Sequence, residues 1–349
     1  MKKLKLFFIL IATLYINVSA QDIHFSQYAE TPIYLNPALA CVSYDTRAIG
    51  YYRSQWASVD NSYLTYGISA EQAFKHLKLK SGYFGMSLNI FSDNAGNGLI
   101  KNLMPKLGFD YVIRTSASGK FSLGVQIGTI YRTVNSSNFK WDSQFDGHHY
   151  NPNLPGETVP LSGIATIDLG SGINYHYAKS ERYISAEDGA KFDIGGSVYH
   201  YTSPKYSFFN TGEKLQMRYV GYFSGDFGIK SAGIALDPSI VYMQQGPSRE
   251  ITFGFMFKYI LQDQSKYTNT KRGMAVAVGS YYRLKDAIIP SVLFQYDKWG
   301  IGIAYDLNIS DLTPATKTKG GLEVCLRFNT SPGYGKSLGG SFNRNTPSY

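Results

Sequence analysis

The sequence predicts an all-β chain that closes into a transmembrane antiparallel β-barrel of the outer membrane, with about 14 strands. Three observations carry this. The first is composition: 29 Tyr, 21 Phe and 35 Gly in 349 residues, with only 17% charged. Tyr and Phe favour sheet. Two cysteines exclude a disulfide scaffold, and the aromatic content excludes a disordered chain. The second is a period-2 alternation that recurs along nearly the whole chain. Ile251, Phe253, Phe255, Phe257 and Tyr259 alternate with Thr252, Gly254, Met256 and Lys258. Phe121, Leu123, Val125 and Ile127 alternate with Ser122, Gly124, Gln126 and Gly128. The third is the second face, which is rich in Gly, Ser and Asn with isolated charges such as Asp110, Arg114, Arg132, Arg283 and Asp306. The water-facing side of a soluble sandwich is usually richer in Lys, Glu and Thr. Small residues and scattered charges suit a crowded lumen whose opposite face meets lipid.

The first element, residues 1–20, reads as a signal peptide. Lys2, Lys3 and Lys5 precede the apolar run Leu6 to Ile16, and Val18-Ser19-Ala20 supplies small residues before cleavage. That run is too short to span a bilayer. The formal net charge of +9 falls when those three lysines leave. The remaining surplus gives no case for nucleic acid. Cys41 follows Ala38-Leu39-Ala40, but Asp22, His24, Glu30 and two prolines rule out a lipoprotein signal there. Cys41 and Cys325 read as two unpaired small residues.

Residues 21–45 form an N-terminal periplasmic or luminal segment. The barrel occupies 46–328. Its strands are expected at 47–56, 62–74, 81–92, 99–114, 120–134, 162–177, 190–202, 214–229, 234–245, 249–261, 273–284, 287–297, 299–309 and 319–328. An even count suits a single-chain bacterial barrel and places both termini on one side, taken as the periplasm. Outward loops then include Asp93 to Asn97, Asn135 to Pro160 and Ser203 to Gly212. Thr115 to Gly119 is a short periplasmic turn. Tyr51, Tyr52, Tyr111, Tyr131, Tyr175, Tyr177, Tyr281 and Tyr282 sit near strand ends, where an aromatic girdle is expected. Residues 329–349 form a flexible tail.

No catalytic or cofactor motif is complete. Gly335-Lys336-Ser337 ends like a P-loop, but Thr330 stands at the first glycine position. Asp306-Leu307-Asn308-Ile309-Ser310 opens like a calcium loop, yet Asp311 replaces the turn glycine and Lys317 the closing glutamate. His148-His149 lacks a third ligand at usable spacing. The reading is a non-enzyme with no cofactor and no metal. The Asn135–Pro160 loop carries Trp141, Phe145, His148, His149 and Tyr150. It is the longest candidate for partner contact, or else it folds over the barrel mouth.

Two ordered sets of residues go beyond barrel physics. The N-terminal set holds Asp22, Phe25, Ser26, Gln27 and Tyr28, then Asn36 and Pro37, then Arg53, Gln55 and Trp56. The C-terminal set holds Tyr282, Arg283 and Asp286, then Tyr305, Asp306, Asn308 and Ser310, then Gly321 and Glu323. Together they resemble the PorP/SprF family of Bacteroidota outer-membrane proteins, through Phe328. The sequence departs from the family at Cys41, where glycine is usual, and in its tail. The resemblance implies a role in type IX protein secretion and gliding. It is either a part of the secretion machinery or a surface anchor for a secreted adhesin, with proteins of that system as partners. The other function class is a solute-transporting barrel.

The lumen separates the two. Phe25, Tyr28, Tyr34 and Leu35 either plug it or form a strap beneath the barrel. Arg53, Arg283, Asp306 and Glu323 are expected to form a luminal charge network.

Overall fold

A computed structural model describes residues 22–58, 62–75, 81–96, 100–135, 139–156, 163–179, 189–208, 212–229, 232–262, 272–310 and 313–330. Fourteen strands make one closed antiparallel barrel. They are β1 (Thr46–Gln55), β2 (Tyr63–Phe74), β3 (Gly82–Ala95), β4 (Ile100–Arg114), β5 (Gly119–Val134), β6 (Ile164–Lys179) and β7 (Ala190–Tyr199). Then follow β8 (Arg218–Ile229), β9 (Ile234–Gln245), β10 (Ser248–Gln262), β11 (Met274–Arg283), β12 (Ala287–Tyr296), β13 (Trp299–Asn308) and β14 (Lys319–Thr330). Each pairs with its sequence neighbours, and β1 closes on β14 with Arg53 opposite Glu323. Closure leaves no unpaired edge, the condition for placing strands in lipid. Among the described residues no helix is long and apolar enough to cross a membrane.

The alternation read from the sequence is the alternation of the wall. Val125, Phe255 and Ile303 point outward and are 56, 48 and 48% exposed, while Gln126, Met256 and Ala304 point inward and are buried. A continuous apolar outer surface with a packed polar interior is the pattern of a membrane barrel. The wall is uneven in height. β4 to β6 run 15 to 16 residues, whereas β1, β7 and β11 to β13 run 10.

Two local expectations need correction. Tyr51 and Tyr281 do not join the outer girdle. They are buried in the lumen, while Tyr52 and Tyr131 face outward. Adjacent residues of a strand face opposite ways, so Tyr51-Tyr52 and Tyr281-Tyr282 each place only one ring on the lipid side. Asp93 to Ala95 are strand and not loop. The buried Asp93 carboxylate accepts from Thr65 Oγ1 at 2.7 Å across the β2–β3 pair, which holds the pairing to its end.

The interior is packed around the segment that precedes β1. Short helical turns at Tyr28–Glu30, Pro32–Leu35 and Pro37–Leu39 shape it. Pro32 and Pro37 each open a turn, where a missing N–H costs nothing. Asn36 caps the last turn by accepting from Ala38 N–H at 2.8 Å.

Candidate functional site

The site is a luminal strap, and its path is fixed by contacts around the whole wall. Near Thr46, Val42 carbonyl accepts from Lys120 Nζ at 2.8 Å and Cys41 carbonyl from Tyr83 hydroxyl at 2.8 Å. Lys120 and Tyr83 sit at the strand ends that share a rim with Thr46 and Thr330. Halfway through, Asn36 Nδ2 donates to Ile173 carbonyl at 2.9 Å, and Leu35 carbonyl accepts from Ser197 Oγ at 2.7 Å. Tyr28 hydroxyl shares a hydrogen bond with Ser239 Oγ at 2.8 Å and its ring stands edge-on to Tyr281. Phe25 packs among Tyr34, Tyr51 and Phe91 with ring centroids 5.3 to 5.8 Å apart. At the opposite rim, Asp22 N–H donates to Gln245 Oε1 at 2.8 Å and its carboxylate pairs with Arg218 at 3.0 Å. The strap therefore crosses the barrel. Phe25, Tyr28, Tyr34 and Leu35 are all buried within it.

Thr46 and Thr330 close the wall at one rim. Both ends of the wall lie on that rim, whereas Asp22, the first described residue, lies at the other rim. The leader 1–20 and residues 331–349 of the expected tail, with the P-loop-like run, lie outside the described residues. Asn329 and Thr330, expected in the tail, are the last residues of β14 and pair with Arg47 and Thr46.

The predicted charge network is present, and the strap is woven into it. Glu323 takes Ser26 N–H at 2.7 Å and Gln27 N–H at 2.8 Å, one on each carboxylate oxygen. The same carboxylate pairs with Arg53. Arg53 also donates to His24 carbonyl at 2.7 Å and lies 3.6 Å from Asp306. Arg283 binds Asp306 at 3.2 Å and Asp286 at 3.0 Å, and donates to Ser26 Oγ. All four network residues are nearly inaccessible to solvent. Within the buried four, two guanidinium groups face two carboxylates, so each buried charge has a counter-charge, and Asp286, with Glu250 at 3.5 Å, adds acid on the Arg283 side. His24 Nε2 lies 3.0 Å from Arg53 Nη2, and because a guanidinium only donates, that ring nitrogen is the acceptor.

A second cluster was not legible beforehand. His200, just past β7, lies between Asp22 at 2.7 Å and Asp168 at 2.8 Å. Both ring nitrogens face carboxylates, so both donate and the ring is an imidazolium. Burial opposes its charge, but Asp22 and the bond to Asp168 outweigh burial and the net shift is upward. Burial likewise raises Asp22, yet His200 and Arg218 hold its carboxyl well below the ordinary range. Lys106 completes the group, 2.7 Å from Asp168. Only the inward phase of Lys106 and Asp168 hinted at it, since period-2 marks them as luminal without naming partners. Arg327 with Glu30 on the strap, at 2.9 Å, was missed for the same reason.

The remaining predicted residues are spread out. Asn36 joins the strap to β6 and β7 through the Ile173 and Gly196 carbonyls, and Pro37 lies against Gly124 of β5. Tyr282 and Tyr305 lie on the outward face of their strands, Tyr282 against Phe253. Gln55 pairs with Gly321 in the wall, and Trp56 stands edge-on to Tyr63. Asn308 donates to Thr316 Oγ1 and Ser310 carbonyl accepts from Thr313, so both brace the rim. Asp306, read as a start of a calcium-like loop, is spent on arginines. The segment 139–156 folds on itself: Phe145 bridges Tyr150, and His148 and His149 N–H groups donate to Asp146 Oδ1 at 2.9 Å. Trp141 packs on Phe139, while Phe145 is exposed. Asp110 is buried with neither oxygen hydrogen-bonded, so it does not join the cross-lumen pairing. Cys41 and Cys325 are free and buried. Cys41 has φ +57°, a backbone region that favours glycine, which gives a physical reason for glycine at that position.

Known proteins place the chain. No curated protein matches it. Among solved structures, BamA from Haemophilus ducreyi lacking POTRA domains 1-3 is similar at TM-score 0.43 and 9% identity, over 82% of this chain and 70% of that one. CdiB from Acinetobacter baumannii is similar at 0.39 and 6% identity, over 82% and 60%. The translocator domain of autotransporter NalP from Neisseria meningitidis is similar at 0.39 and 8% identity, over 87% and 95%. The family model for type IX secretion system membrane protein PorP/SprF matches residues 17–328. That span takes in the strap, both charge clusters and all but the end of the wall, and the chain belongs to the PorP/SprF family of type IX secretion system membrane proteins.

Proposed function

We propose that this outer-membrane barrel serves type IX secretion as a sealed scaffold that binds protein partners at its rims. The observation that carries the reading is the strap. It crosses the lumen and ties aromatic rings, backbone and two charge clusters to strands around the whole wall. A solute channel needs a continuous path through that space. A scaffold needs none, and gains a rigid wall from filling it. Its partners are either components of the secretion machinery or a secreted adhesin that the barrel holds at the cell surface.

A mild-detergent pull-down of the tagged protein from native outer membrane, read by mass spectrometry, tests this. Periplasmic ring or peptidoglycan-linked secretion proteins would place the barrel in the machinery. One large surface adhesin would make it that adhesin's anchor. Recovery of neither, with solute uptake lost on deletion, would replace the scaffold by a transport role.

A further inference from the structure

The strap has a direction, and that direction has a topological consequence. The ends of β1 and β14 meet at Thr46 and Thr330 on one rim. Every strand alternates from there, so Gln55, Arg218, Gln245 and Arg283 lie at the opposite rim. Asp22 is held at that opposite rim by Arg218, Gln245 and His200. Contacts in between run in order along the strap, from Val42 through Asn36 and Tyr28 to Ser26. The crossing is thus recorded by independent bonds to β5, β6, β9 and β14 and not by one terminal contact.

We propose that the strap carries the amino end of the processed chain through the barrel and presents it at the outward mouth. There it would stand on the same face as the exposed turn 145–150 and the segment 201–208. This rests on removal of the leader near Ala20 and on the outer-membrane placement given above, in which the joined ends of the wall face the periplasm. The amino end would then be part of the surface that meets secreted proteins, although the residues beside it in sequence, from Thr46 on, start at the periplasmic rim.

The test uses the full chain in cells, with a short epitope at one of three places. The first is between Gln21 and Asp22. The second is between Gly147 and His148, at an exposed turn on the strap-end rim. The third is within Ser116–Ser118, an exposed turn on the other rim. Insertions at exposed turn tips are the best tolerated. Assembly is checked by heat-modifiable migration. We expect antibody to reach the first two epitopes on intact cells, and the third only after permeabilisation. If the amino-terminal epitope instead reports together with the third, the strap does not cross and the proposal falls, while the membrane orientation stands. If the first two are both shielded and the third is open, the barrel is inverted, and the surface placement falls together with the orientation assumed above. Should the amino-terminal epitope block assembly, the pair Asp22→Cys and Gln245→Cys replaces it. A disulfide-linked peptide from assembled barrel supports the crossing, and its absence from assembled barrel overturns it.

Discussion

Glu323 is the residue on which most of the site converges. It sits in the wall, yet its two oxygens bind two successive strap N–H groups and one guanidinium. Glu323→Gln keeps the shape but leaves Arg53 short of a counter-charge in a buried place. Breaking one side of a buried ion pair costs about 3–5 kcal/mol. We expect a clear drop in the temperature at which the barrel loses heat-modifiable migration. An unchanged midpoint would mean that the strap is not seated on Glu323.

His200 gives the site a pH dependence with a definite sign. Its folded value is raised above the ordinary value of about 6.5. Its contribution is therefore complete below about pH 6.5 and is lost as pH rises through the raised value. Asp22 is depressed, so its contribution is present above about pH 4 and is lost as pH falls through the depressed value. The strap end is held between these limits. Amide protection factors for residues 22–27 should fall on the alkaline side in the native chain, and His200→Gln should remove that alkaline step. Protection that stays flat to high pH would contradict the latch.

At the scale of elements, glycine on the inner face of the wall marks where the strap lies. A Cβ on Gly172 would meet Asn36 Oδ1 at 2.0 Å, and one on Gly124 would meet Ala38 N at 2.4 Å. On the outer face, Gly221 has nothing within 4 Å of that position. Gly172→Val should push the strap out of its seat. Its Cβ also meets the Gly196 carbonyl oxygen of β7 at 2.9 Å, so heat-modifiable migration is used alongside to verify that the wall still forms. Limited proteolysis within 22–45 should then rise, with Gly221→Ala as the silent control. Equal resistance in both variants would contradict the seating of Asn36.

The same scale shows what the sequence could reveal. Strand phase follows from side-chain alternation, so all fourteen strands fall close to the expected ranges, and β9 at Ile234–Gln245 matches them. The arginine cluster was also legible, because Arg53, Arg283, Asp306 and Glu323 are charges on the inward phase near strand ends. The His200 cluster was not. Its members come from the strap, β4, β6, β8 and the end of β7, and alternation says which face a residue takes but not which distant strand it meets. The strap's direction was hidden for a related reason. Irregular chain has no period, and only its partners around the wall show where it runs.

At the scale of the whole molecule, the chain's own amino-terminal segment fills the lumen. Aromatic packing by Phe25, Tyr34, Tyr51 and Phe91 and the two charge clusters hold that filling together. Interiors packed to this degree pass neither water columns nor solutes freely. Single-channel recording of the intact purified protein in a planar bilayer is the most direct measurement. No large steady conductance is expected from the intact protein, and channel events are expected once the strap is unseated by Gly172→Val. Large, steady conductance from the intact protein would contradict a filled lumen and return the barrel to the class of solute channels.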